Sequence, residues 1–422
     1  MIPQRFASRE FLLSPRAFVR QSKLPLPSLV VFLLFLVGGG KHEGVDGKAG
    51  AFFRQARRSG LWPEARAVHR STVTKARAKL SWTGFEALHR DAVRLAYDLW
   101  PAQETDTWRG LSVFAIDGSK YRLPASEPLR AAFDPDSGLD HPGKGHYPEC
   151  LVSTAYDVFR RLPVARTVQP LAKANERAEA LALLPCLPAG GVLLFDRGYP
   201  SYDLIEALRQ RDSGFWVIRC PATGTFPAVA AFAQSGQREA ILTFHPPKAA
   251  PFTVRAVRLE SPDGEGSVLL TNLFDTDYFP AADIVALYFR RWAVETHYRD
   301  EKTSLDIETF HSETENGIRQ ELFAVLIVAV IARLLSALMT DPDAPTATEP
   351  QFKHAVMSVA QEAFLLTPHR PELALALLQE LLQEIARVRY YRPHKQRPAP
   401  PRISKQPINT WQMDRAKRRT GA

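Results

Sequence analysis

Residues 281–305 read AADIVALYFRRWAVETHYRDEKTSL. The stretch has no proline or glycine, and nearly all its residue types are tolerated inside a helix. Pro280, just before it, suits a helix start. One helix is therefore predicted over the whole stretch. Tyr288, Arg291, Glu295 and Lys302 follow one another at steps of 3, 4 and 7 residues. At about 3.6 residues per turn, those steps return to one face. A phenol, a guanidinium, a carboxylate and an ammonium then form a single stripe. Two readings are open. The ions alone suit a solvated face laced by i,i+4 pairs. The phenol in register, with basic groups around one acid, suits a carboxylate that holds a cation while its neighbours hold phosphates.

The 422 residues carry a net charge of +9, unevenly placed. Residues 1–108 hold 17 Lys/Arg against 9 Asp/Glu, residues 387–422 hold 11 against 1, and the middle holds 26 against 35. Basic ends around an acidic middle suggest a polyanion gripped at the ends and a carboxylate site between them. A hydrophobic content of 45% excludes wholesale disorder, and the length predicts two or three domains. Cys150, Cys186 and Cys220 are odd in number and far apart, with no CxxC pair. A disulfide framework is excluded and a reduced cytoplasmic setting expected. No GxxxxGK[ST] loop occurs, so no nucleoside triphosphate is implied. The apolar run at 29–37, extended back to Leu24, covers 14 residues broken by two prolines and a serine. A membrane span needs about 20, so a buried helix is expected.

Taken in order, Pro25 and Pro27 lead into that helix with Ser28 as its N-cap. Gly38 to Gly40 close it, and the segment to Gly50 reads as loop. Residues 51–60 and 71–80 predict short basic helices, the second offering Lys75, Arg77 and Lys79 to phosphate; residues 82–100 predict a third. Several short helices with a basic member suit an N-terminal helical DNA-binding domain over 1–108. A plain bundle with a charged surface is the alternative.

From Leu111 the period becomes two. LSVFAID is a strand ending on Asp117, and Gly118 reads as a tight turn into a second strand, SKYRLP. Residues 125–149 read as loop. Strands follow at 151–158 and 162–168, then a helix over 173–184. VLLF is a run of the buried-strand type that ends on Asp196. Ser201 caps another helix, and 215–220 is another strand. A mainly β excursion over about 221–270 precedes the helix at 281.

This order predicts an α/β fold with a mixed sheet. Asp117 and Asp196 stand at strand ends, and Glu295 stands on the later helix. Acids at the carboxyl edge of such a sheet face one crevice. Three oxygen donors suit Mg²⁺ or Mn²⁺. Two such ions about 3.5–4 Å apart can activate a nucleophile and stabilise a leaving oxygen in phosphoryl transfer.

With these residues in place, the chain resembles the DDE-class insertion-sequence transposases of the insertion-sequence four family. That family carries Tyr, two residues, Arg, three residues, Glu, six residues, Lys, and Tyr288, Arg291, Glu295 and Lys302 keep every spacing. The family's first acid resembles Asp117 in AIDGSKYRLP, its second Asp196 in LLFDRGYPSYDL, and its third Glu295. The similarity also covers LPLPSLVVFLLFL near the start and HSETENGIRQELFAVLIVAVIARLL from His311. It spans most of residues 20–340. The resemblance implies a ribonuclease H-like catalytic core over 109–340, interrupted by the β insertion. A C-terminal helical region with a basic tail, 341–422, follows. It implies cut-and-paste movement of a DNA element with inverted-repeat ends. Asp117, Asp196 and Glu295 would be the catalytic, metal-holding acids, with two Mg²⁺ or Mn²⁺ ions; Tyr288, Arg291 and Lys302 would grip phosphates. The partners implied are double-stranded DNA, at the terminal repeats and the target, and a second copy of the chain in the DNA complex. No membrane is implied, and the place of work is the bacterial cytoplasm. Trp292 could stack on a displaced base, a core tryptophan being the plainer reading. Arg197 and Lys120 are candidates for DNA contact, while His297 and Tyr298 are expected to be structural. Two other classes stay open: a non-catalytic DNA-binding relative, and a metal-dependent endonuclease that never joins.

The basic tail yields a prediction. Residues 387–422 include Pro393, Pro398, Pro400 and Pro401, which disfavours a packed domain. A cationic tail meets any phosphate and adds about one unit of log-log salt slope per phosphate neutralised. Deleting the tail should flatten the salt dependence of DNA affinity and leave sequence preference with 1–108. Binding isotherms across salt concentrations check this; an unchanged slope overturns it.

Overall fold

The computed structural model describes residues 2–7, 9–19, 23–38, 44–135, 146–211, 213–247, 249–259, 266–339, 348–366 and 370–391. Nearly all of the basic tail thus lies outside the described residues, as do 39–43 of the glycine-rich segment and 136–145.

Five helices come first: α1 (Ile2–Arg5), α2 (Leu26–Leu36), α3 (Val45–Arg58), α4 (Arg70–Arg77) and α5 (Thr83–Leu99). The apolar run forms α2, buried from Ser28 to Leu36. Its N-cap is Pro25, with Pro27 in the first turn, so Ser28 does not cap it. α3 begins at Val45, although Gly47 and Gly50 had marked this segment as loop. Phe52 and Phe53 explain the override. Both are buried, and Phe52 packs edge-on against Phe32 and Phe35 of α2. That apolar burial outweighs the helix cost of two glycines, about 1 kcal/mol each.

An eight-stranded sheet follows, in the order β3-β2-β1-β4-β5-β8-β7-β6. β1 (Val113–Arg122) is one continuous strand that pairs antiparallel with β2 (Glu149–Asp157) along its length, Gly118 facing Ser153. The expected turn at Gly118 is therefore absent. The segment between these strands, read as loop, contains α6 (Glu127–Phe133). β3 (Leu162–Pro170) pairs antiparallel with β2. After α7 (Glu176–Leu183), the chain enters β4 (Val192–Phe195), parallel to β1. β4 is central and buried along its length, which its unbroken VLLF run requires. α8 (Tyr202–Gln210) leads to β5 (Phe215–Pro221), parallel to β4. Strands β3-β2-β1-β4-β5, the first three antiparallel and the rest parallel, make the ribonuclease H-like core. The excursion supplies α9 (Pro227–Gln234), β6 (Glu239–Phe244), β7 (Phe252–Leu259) and β8 (Ser267–Thr271). These strands extend the same sheet antiparallel from β5.

Residues 281–305 are not one helix. α10 (Ala281–Phe289) and α11 (Trp292–Arg299) meet at Arg290–Arg291, where backbone bonds shorten to i→i−3, and Asp300–Ser304 forms a π turn. α12 (Glu315–Leu338) follows and packs against α2, α5 and β3. By length and composition α12 would pass as a membrane span, but it is mostly buried within the protein. A β ribbon of β9 (Thr348–Pro350) and β10 (Arg389–Tyr391) frames α13 (Phe352–Gln361) and α14 (Pro371–Arg387).

The π turn is fastened by a buried ion pair. Arg166 on β3 donates to both Glu301 oxygens at 2.9 Å, and both side chains are buried. The Tyr121 hydroxyl also donates to Glu301. His297 lies 3.2 Å from the same carboxylate and stacks on Tyr156. Removing one partner of such a pair typically costs about 3–5 kcal/mol, because the other charge stays buried alone. Arg166→Met should lower the unfolding free energy by that order, and Arg166→Met with Glu301→Gln by less than the single change. Urea unfolding checks it; a double variant as unstable as the sum of the two singles would show no coupling.

Candidate active site

Strand register brings two acids together from distant parts of the sequence. β1 and β4 run parallel with Val113 opposite Val192, Phe114 opposite Leu193 and Ala115 opposite Leu194. Two residues beyond the last pair stand Asp117 and Asp196, on one face because side chains alternate. Glu295 arrives from α11. The Tyr298 hydroxyl of that helix lies 2.7 Å from the Asp117 carbonyl and 3.1 Å from the Val152 carbonyl, which fixes α11 across β1. His297 and Tyr298 are thus structural, as expected. Arg291 bridges two of the acids: Nη2 donates to Glu295 Oε1 at 2.7 Å, and Nη1 lies 3.6 Å from Asp117 Oδ2.

The acids act on one another electrostatically. Burial pushes the Asp117 carboxyl up to about 7; Arg291 opposes this, while Asp196 and Glu295 add to it. Burial also works against the charge on Arg291, but Tyr288, Asp117 and Glu295 outweigh it and raise its pKa. Arg291 and Tyr288 are both buried. The Arg291 Nε and Nη1 and the Tyr288 hydroxyl have no hydrogen-bond partner among the described residues. Lys302 does not join the acids. Its Nζ donates to Ser119 Oγ at 2.8 Å and to the Lys120 carbonyl at 2.5 Å, further along β1 and over the Tyr121 ring. The expected stripe is therefore split between two stations on one strand.

Other side chains depart from expectation. Trp292 is 46% exposed, so it is not a core tryptophan. Arg77 is buried and donates to Gln320, Glu321 and the Gly317 carbonyl, so it is not offered to phosphate. Lys120 and Arg197 are exposed. Two residues that the sequence did not single out stand beside the acids. Glu176 begins α7, with a carboxylate against Gly118 and Gly198. Tyr199 is fully buried, and its hydroxyl is unpartnered among the described residues. In the sequence, Glu176 is indistinguishable from an ordinary first-turn helix acid.

Among the described residues, no three acidic, histidine or cysteine side chains stand close enough to clasp one ion. The donor set nevertheless fits a hard divalent cation. It is all oxygen, and its carboxylates repel one another. A ribonuclease H-like sheet with acids from β1, from the end of β4 and from the helix after a β insertion defines the class of DDE-type catalytic domains. Residues 108–331 match the family model described as the transposase DDE domain, and the chain belongs to that family. It is 27% identical over 272 residues to the transposase InsG for insertion sequence element IS4 of Escherichia coli K12, covering 62% of this chain and 60% of that one. The matched part thus falls short of two thirds of that relative. A piggyBac transposase in a synaptic complex with hairpin DNA superposes over 97% of this chain and 85% of its own, at a TM-score of 0.40 and 11% identity.

The raised Asp117 has a consequence for stability. The folded protein keeps a proton there that the unfolded chain releases from about pH 4 upward. Stability contributed at this residue therefore falls as pH rises from about 4 to about 7, and above that the full penalty is present. Asp117→Asn in chelator should be more stable than wild type by on the order of 2 kcal/mol near pH 8, with little gain near pH 4.5. Thermal unfolding at the two pH values checks it; an equal shift at both would show that the charge is not the cause.

Proposed function

We propose that this protein is a transposase that cuts and joins DNA at the ends of an insertion sequence by two-metal phosphoryl transfer. The observation that carries the reading is the parallel β1–β4 register, which sets Asp117 beside Asp196, with Glu295 tied to Asp117 through Arg291. Asp117, Asp196 and Glu295 would hold the Mg²⁺ or Mn²⁺ ions. Those ions, when bound, supply the positive charge that activates an attacking oxygen and stabilises the leaving one. The chain itself positions DNA and neutralises phosphate. Arg291 Nε makes no hydrogen bond and Nη1 makes only the 3.6 Å ion pair to Asp117, and a guanidinium matches the geometry of phosphate oxygens. Tyr288 adds a hydroxyl beside it. Lys302, held over the Tyr121 ring, presents a cation further along β1, where it meets a phosphate neighbouring the cleaved one.

The nucleophile is water in the cutting step and a DNA 3′-hydroxyl in the joining step, so no covalent protein intermediate is needed. The partners are double-stranded DNA at terminal repeats and target, with a homodimer spanning two ends. Residues 1–108 supply end recognition, and the protein works in the bacterial cytoplasm. Asp117→Asn, Asp196→Asn and Glu295→Gln should each reduce Mg²⁺-dependent cleavage of terminal-repeat DNA by at least about a thousandfold while DNA binding persists. Normal cleavage by any one of them removes that residue from the site. Cleavage without strand joining by the wild type would instead make the protein an endonuclease.

A further inference from the structure

Resting on the reading of Lys302 as a phosphate ligand, we propose that Ser119 is a positioning residue for the reaction: with the Lys120 carbonyl and the Tyr121 ring, it seats the Lys302 ammonium and aims it at DNA. Side chains alternate along a strand, so Asp117, Ser119 and Tyr121 of β1 share one face. That face offers an acid, a hydroxyl and an aromatic ring in order. β1 pairs with β4 only as far as Ala115, whereas it runs on beside β2 to Arg122. Ser119 and Tyr121 therefore lie past the end of the central strand. Lys302 meets them there. Its Nζ donates to Ser119 Oγ and to the Lys120 carbonyl, and it lies 4.5 Å from the centre of the Tyr121 ring. Ser119 Oγ has no other hydrogen bond among the described residues, so its bond to Lys302 is its one polar contact.

An ammonium has three N–H donors. Two are taken here, and the third has no acceptor among the described residues. With two acceptors and a ring face fixed, the direction of the third donor is fixed as well. A lysine on an open surface has no such constraint, and its long stem loses rotamer freedom on meeting a phosphate. The seated lysine has lost that freedom on folding, so the cation is held ready. The seat is itself anchored. Tyr121 is fully buried; its ring faces Lys302, and its hydroxyl donates to Glu301, the preceding residue, which Arg166 holds. Tyr298 packs edge-on against Tyr121 and gives its own hydroxyl to the Asp117 carbonyl. The ammonium is thus tied to the strand that carries the first acid. Two residues of strand span about 6.6–6.8 Å, which is the step along β1 from Asp117 to Ser119. Ser119 thereby sets how far the cation stands from the acids.

The test is single-turnover cleavage of terminal-repeat DNA by the full-length protein with Mg²⁺, with DNA affinity in chelator and thermal unfolding measured alongside. Lys302→Ala should slow cleavage about a hundredfold, and Ser119→Ala about tenfold with DNA affinity and unfolding midpoint near wild type. Ser119→Thr keeps the hydroxyl on a strand-favouring residue and should restore most of the rate. Ser119→Ala combined with Lys302→Ala should be no slower than Lys302→Ala alone, because the serine acts through the lysine. A further loss in that double variant, equal to the loss in Ser119→Ala alone, would overturn the proposal, since the serine would then act without the ammonium. Wild-type cleavage by Ser119→Ala, with Lys302→Ala slowed, would overturn it too. Wild-type cleavage by Lys302→Ala, with cleavage lost in Asp117→Asn, would remove Lys302 and its seat from the site and leave the transposase reading standing.

Discussion

The candidate active site hangs on the buried pair of Arg166 and Glu301. Arg166 leaves β3 and reaches under the sheet. Its Nε donates to Thr154 Oγ1 on β2 at 3.1 Å, and its Nη1 donates to the Leu322 carbonyl on α12 at 3.3 Å. Burial alone would raise the Glu301 pKa, but Arg166, His297 and Tyr121 together hold it well below the usual carboxylate range. Three strands, the π turn and α12 are thus tied through one charge. Taking two ions out of water costs several kcal/mol each, and only good geometry with full hydrogen bonding offsets that. Here each Glu301 oxygen has a donor and Arg166 uses all three nitrogens, which makes the pair a means of fixing position.

The position fixed is that of the helix carrying Glu295. The i→i−3 bonds at Arg290–Arg291 and the π turn at Asp300–Ser304 change the angular advance on either side of α11. A π turn lets neighbouring residues diverge from α-helical phase. Glu301 points into the sheet toward Arg166, while Lys302, next in sequence, reaches across β1 to Ser119. In a straight helix, Arg291, Glu295 and Lys302 would share a stripe. In the interrupted one, Arg291 and Glu295 stay by Asp117, and Lys302 is displaced along the strand. Sequence spacing specified the four residues but not the break, because a π turn and a 3₁₀ junction carry no periodic signal.

The legible features were those set by local pattern. Alternation and buried runs showed the strands. Asp117 and Asp196 stood out as acids just beyond apolar runs, and burial of the 29–37 run followed from its hydrophobicity. Features set by tertiary partners were not legible. Gly118 reads as a turn locally because the pairing that carries β1 straight through it, opposite Ser153 of β2, is a long-range contact. Gly47 and Gly50 looked like loop because the packing of Phe52 on α2 is a long-range gain. Arg77 looked like a phosphate ligand because its acceptors lie more than two hundred residues away. Trp292 was read as core on residue type, whereas it projects from the exposed side of α11.

α12 shows how one helix unites the parts. It is apolar enough to pass for a membrane span, yet its buried face carries Gln320 and Glu321 at 0–1% exposure. Those two side chains accept from Arg77 of the N-terminal helices, and Glu321 also accepts from the His311 N–H at 2.9 Å. The next residue, Leu322, gives its carbonyl to Arg166 of the sheet. Two buried guanidiniums, one from each side, therefore meet three consecutive residues of a single helix. In hydrocarbon a buried Gln–Glu step would be strongly unfavourable; inside this protein each polar atom named here has a partner. The polar step at 320–321 also sets the rotation of the helix, since any other rotation would take the Gln320 and Glu321 acceptors from the buried Arg77 guanidinium. The apolar length of α12 supplies burial, and its short polar step fixes how the N-terminal helices sit against the catalytic sheet.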